Sequence, residues 1–122
     1  MTTSFIHYRK FGKSGELDAK GGLTVAIQQW KPAQGNVELT IALAECGRKD
    51  VFSRKLGRVI SEGRLKVLSA HSPKEDVGDQ RVFVVTMPAD EPYIKDFVAK
   101  QPFIQERVRK LRAGLAQYEV AI

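Results

Sequence analysis

From Val37 to Glu45 the chain alternates without a break, with Val37, Leu39, Ile41 and Leu43 all falling on one side. A period of two belongs to a β-strand with one buried face, and a slip of one residue would turn all four apolar side chains to water. Such a strand needs neighbours, and the sequence before it supplies two. Leu23–Trp30 puts Leu23, Val25 and Ile27 on one face and Thr24, Ala26, Gln28 and Trp30 on the other. Ser4–Phe11 is rich in aromatic residues and reads as a first strand. Turn-forming runs separate the three, from Gly12 to Gly22 and from Lys31 to Asn36.

After the third strand the pattern changes to that of a helix. Asp50 is expected as its N-cap, because a carboxylate there accepts from free backbone N–H groups and meets the positive end of the helix dipole. Phe52, Leu56, Val59 and Ile60 follow at i, i+4, i+7 and i+8, the spacing of one buried stripe, with Arg54, Lys55 and Arg58 on or beside the opposite side. Gly63 is the expected stop. Arg64–Ala70 then reads as a fourth strand and Arg81–Met87 as a fifth, joined by the polar loop from His71 to Gln80. Asp90 is expected to cap a short helix with Pro92 in its first turn, burying Ile94, Phe97 and Val98. Pro102 opens a last helix whose Ile104, Val108, Leu111, Leu115 and Tyr118 make a heptad-like stripe, suited either to closing the core or to self-association, and a homo-oligomer is expected.

The fold class expected is therefore α+β: one domain over residues 1–122, a mainly antiparallel five-stranded sheet in the order βββ-α-ββ-αα, and helices on one face. A length of 122 residues with 43% hydrophobic and 28% charged content suits a modest core. No run approaches the length of a membrane span and no signal-peptide pattern opens the chain, so a cytoplasmic protein is expected. Cys46 alone cannot close an internal disulfide, and with only His7 and His71 beside it there is no zinc spacing. No cofactor or metal is expected.

Catalytic patterns fail on their geometry. Gly12-Lys13-Ser14 matches the tail of a phosphate-binding loop, but the earlier glycine such a loop requires falls at His7. Glu38 and Glu45 lie an odd number of residues apart and point to opposite faces of one strand. Cys46 ends an apolar strand, where a small packed side chain is the ordinary role. The expectation is a protein that is not an enzyme, with a nuclease as the weakest alternative.

Charge gives more direction. Residues 1–66 hold twelve Lys/Arg against six Asp/Glu, whereas residues 67–122 hold eight of each, so the net +6 belongs to the first half. A one-sided basic region suits a polyanion, because phosphate contacts dominate nucleic-acid affinity through counterion release. Trp30, with Tyr8 as a candidate neighbour, offers a stacking platform bordered by Lys10 and Lys31. Arg48, Lys49, Arg54, Lys55, Arg58 and Arg64 would serve phosphates. No helix-turn-helix or RNP pattern is readable, which favours backbone and stacking contacts over base-specific duplex readout.

The stretch Asp50-Val51-Phe52-Ser53-Arg54-Lys55-Leu56-Gly57-Arg58, continuing to Gly63-Arg64-Leu65, resembles segments of small bacteriophage proteins. Size, basic charge and β/α order are similar to those of the single-stranded-DNA-binding RNA polymerase cofactors of N4-like phages. That resemblance implies non-specific binding of single-stranded DNA, a role in phage transcription, RNA polymerase as a partner and the host cytoplasm as the compartment. The competing reading is a phage protein-interaction factor whose basic surface meets an acidic patch on a host protein.

Overall fold

A computed structural model describes residues 2–9, 20–30, 35–51, 53–66 and 80–121, with the backbone alone for residues 2, 20, 47–51 and 113–121. Four strands form one antiparallel meander in the order β1-β2-β3-β4: β1 Thr2–Tyr8, β2 Lys20–Trp30, β3 Val37–Val51 and β4 Val82–Met87. Between β3 and β4 comes α1, Arg54–Lys66; after β4 come α2, Ile94–Ala99, and α3, Pro102–Ala121. The class is α+β, as expected, with four strands rather than five among the described residues. Arg64, Leu65 and Lys66, expected to open a further strand, form the last turn of α1, and Val67–Ala70 lie outside the described residues.

Register follows the alternation. Ile27 pairs with Ile41 and Ile41 with Phe83, so the long apolar side chains of three strands stack on one face. There Leu23, Val25, Leu39, Leu43, Val85 and Met87 join Val98 of α2 and Phe103 and Ile104 of α3 in the main core. Phe83 and Phe103 stack with ring centroids 4.2 Å apart. Val108 and Leu111 pack half-buried against the same core, so the described part of the α3 stripe closes the domain. The side chains of Leu115 and Tyr118 lie outside the described residues.

The other face is built from small residues, and α1 covers part of it. Ala26, Ala42 and Val82, aligned across three strands, pack with Leu65 of α1. Helices thus lie on both faces of the sheet and not on one. Gly57 explains how α1 approaches: a Cβ there would stand 2.2 Å from Thr24 Oγ1 and 2.9 Å from Thr24 Cβ, so only glycine fits. Ser61, fully buried, returns its hydroxyl to the Gly57 carbonyl at 2.7 Å.

This packing inverts the expected stripe. Gly57, Ser61 and Leu65 face the sheet, while Leu56, Val59 and Ile60 face outward. The helix also starts later than expected: Asp50 belongs to β3, which runs on to pair Val51 with Lys20, and the N-cap is Ser53, whose Oγ accepts from the Leu56 N–H at 3.1 Å. It continues past Gly63 because Leu65 completes the buried row, and Arg64 and Lys66 in the last turn complement the negative end of the dipole. Phe52 lies outside the described residues. Pro102 does open α3, but α2 begins at Ile94 behind Tyr93 with no side-chain cap, leaving Asp90 and Pro92 in the preceding turn.

Candidate nucleic-acid interface

On the α1 side of the sheet, pairing lines the side chains up in rows across the strands. Trp30 stands beside Glu38 and Glu38 beside Thr86; the next row is Thr3, Gln28, Thr40 and Val84. All of these are exposed or half-buried. The two rows beyond, through Ala26 and through Thr24, are the ones that meet α1. The face therefore has a covered end and an open end, with Trp30 on the open one at 42% exposure. Its indole Nε1 donates to Thr40 Oγ1 at 3.2 Å, which ties the ring edge to β3.

Cations collect at the covered end. Arg54 and Arg58, one helical turn apart and both exposed, stand near enough to His7 of β1 to act on its charge. Burial, then Arg54, Arg58 and Lys95 in that order, push the His7 imidazole below its ordinary 6.5. His7 Nδ1 lies 3.0 Å from Thr24 Oγ1, so the ring is held by the strand that Gly57 touches. From Thr24 to Trp30 is six residues of β2, roughly 20 Å at the strand rise. The indole and the arginine pair thus occupy opposite ends of one face. Glu38, exposed beside Trp30, puts a carboxylate at the open end.

The other expected site residues divide. Lys55 is exposed on α1. Arg64 turns back onto β3, where Nη1 donates to the Leu43 carbonyl, and burial and the neighbouring Arg81 lower its pKa while Glu45 opposes them. Arg48 and Lys49 lie on β3 with their side chains outside the described residues, as are Lys10 and Lys31 entirely. Tyr8 is not a neighbour of Trp30. It pairs with Leu23 at the far end of β2, packs against the main core, and lines a cleft of about 510 Å³ with Val108, Arg109 and Arg112 on the opposite face.

Comparison with protein-family models, with characterised proteins and with solved structures yields no match for this chain. Functional inference therefore rests on the chemistry of the face.

Two features had only a weak signal in the sequence. His7 was visible as one of two histidines, but its place under two arginines depends on where α1 crosses β1 and β2. Arg107 reads as one of several cations on α3. Yet it is buried, donating Nη1 to Glu45 at 3.0 Å and Nη2 to the Gln80 carbonyl at 2.7 Å, with its guanidinium carbon 5.8 Å from the Phe83 ring centroid. With Arg81 near Glu45 at 3.9 Å, this cluster fastens α3 to β3 and to the segment leading into β4.

Proposed function

We propose that this protein binds single-stranded DNA without catalysis and with little sequence preference. The observation that carries the reading is an exposed indole on the open end of a sheet face whose other end bears Arg54 and Arg58. A base stacks on Trp30, and phosphates further along the strand reach the two guanidinium groups; a separation of roughly 20 Å suits a short run of nucleotides. Glu38 repels phosphate on the β3 side of Trp30, so the backbone runs on the β1 side, towards His7. Lys55 adds charge, and Lys10, Lys31, Arg48 and Lys49 belong to the same proposal through their place in the sequence. The resemblance to phage proteins extends it to a transcription cofactor acting with RNA polymerase.

The experiment is binding to single-stranded DNA, duplex and RNA probes across a salt series. Log affinity for the single strand falls with log salt at about −0.7 per phosphate neutralised. Joint replacement of Arg54 and Arg58 by Ala weakens binding about tenfold or more, since each contact to a phosphate is worth on the order of 1 kcal/mol. Both side chains are exposed, so thermal stability is retained. Salt-independent affinity, or an unchanged affinity in the double variant, contradicts the reading.

A further inference from the structure

The outward face of α1 carries three of the helix's four aliphatic side chains, the fourth being the buried Leu65. Leu56, Val59 and Ile60 are 57%, 60% and 38% exposed. With Gly63, beside which a side chain would meet nothing, they complete the i, i+3, i+4, i+7 row of one helix face. Single exposed aliphatic residues are ordinary on a protein surface, but three adjoining ones with a flat fourth position have the pattern that receives a partner helix. Lys55, one turn before Val59, and Lys66, one turn beyond Gly63, border this row on the same flank and are both exposed. They stand eleven residues apart, roughly 16 Å along the axis. Glu62 lies between them on the side of Arg58, so the flank remains net positive. Arg54 and Arg58 occupy a different side of the helix, the one towards His7.

A second copy of the chain is a poor occupant. In an antiparallel pairing about the middle of the row, Lys55 of each copy meets Lys66 of the other; a parallel pairing sets the lysine flank against the opposite flank, which carries Arg64 and no carboxylate among the described residues of α1. Charge complementarity selects a different chemistry. We propose that the outer face of α1 docks an acidic amphipathic helix of another protein, one with apolar residues at i, i+3, i+4 and i+7 and carboxylates about three turns apart beside them. The surface excludes Trp30, Arg54 and Arg58 and shares only Lys55 with the described residues of the nucleic-acid reading, and a peptide assay without nucleic acid tests it independently of that reading.

The probe is a labelled helical peptide with leucines at those four positions and glutamates on the matching flank. It is compared by fluorescence anisotropy with a lysine-flanked peptide and with one of the same composition in permuted order. The glutamate peptide binds in the micromolar range, the other two about tenfold more weakly or less, and Leu56→Glu removes the binding. In the double variant Lys55→Glu, Lys66→Glu the preference reverses in favour of the lysine-flanked peptide, a gain that an unfolded helix would not produce. Equal affinity for all three peptides, or none for any, overturns the proposal. A concentration-dependent dimer in sedimentation that Leu56→Glu dissociates overturns it too, by giving the face to a second copy.

Discussion

His7 connects pH to the cationic end of the sheet. Its imidazole sits below its ordinary 6.5 because burial, first, and then Arg54, Arg58 and Lys95 oppose a further positive charge. Between the lowered value and 6.5 the unfolded chain holds a proton that the folded chain refuses, so this residue's contribution to stability is lost as pH falls below about 6.5 and restored as pH rises through it. A phosphate at Arg54 and Arg58 offsets part of the opposing charge and draws the pKa back up. Binding then takes up protons at His7, and affinity for single-stranded DNA rises as pH falls from about 7 to about 6. Measured against His7→Gln, which lacks the group, the wild-type protein has the steeper pH dependence; equal slopes contradict this account. That Trp30 shares a side with Thr24, Ala26 and Gln28 could be read from alternation alone. That Tyr8 lies on the other side could not, because it depends on the pairing of Tyr8 with Leu23.

At the scale of elements, α1 teaches most. Its apolar stripe by spacing and its sheet-facing row in the fold are different sets of residues, because the strands beneath it present Thr24, Ala26 and Ala42 and leave room only for Gly57 and Ser61 at the closest approach. Periodicity identifies a helix with an apolar side, but which side packs depends on the shape of the surface it meets. Gly57→Ala tests this packing: alanine improves helix propensity by about 1 kcal/mol, yet its methyl group meets Thr24, and overpacking of this kind costs about 1–3 kcal/mol. Thermal unfolding is expected to show a loss of stability, whereas Gly63→Ala, in open space on the same helix, gains some. If both variants gain equally, α1 is not seated on Thr24. The strands were more legible. Val37, Leu39, Ile41 and Leu43 pack on one face as alternation requires, though β3 runs on to Val51 because Lys20 pairs with it. Arg107 makes the complementary case on α3: a charged side chain at a buried position, supported by Glu45 and the Gln80 carbonyl. Arg107→Ala is expected to lower unfolding stability by about 2–4 kcal/mol, since it removes charged hydrogen bonds and packing on Phe83 together. DNA affinity per folded molecule stays unchanged, as read by denaturant titration beside a binding assay.

For the molecule as a whole, the two faces of the sheet serve different ends. One is closed by α2 and α3 over long aliphatic and aromatic side chains. The other is half covered by a small-residue contact with α1, which leaves a polar open end where Trp30 is exposed. No helix among the described residues is long and apolar enough to cross a membrane. Net charge and its concentration in residues 1–66 were plain in the sequence, but the order of rows that puts Trp30 at one end of a face and Arg54 and Arg58 at the other is a property of the register. The chain has one tryptophan, so its emission reports on this position alone. The direct measurement is titration of that emission with a single-stranded oligonucleotide, followed by Trp30→Ala compared on single-stranded and duplex probes. Emission is quenched at saturation, and the variant loses about 1–3 kcal/mol on the single strand, the usual worth of one base stack, with a much smaller loss on duplex, whose bases stay paired. Unquenched emission at saturation, with equal single-strand affinity in the variant, would contradict the account.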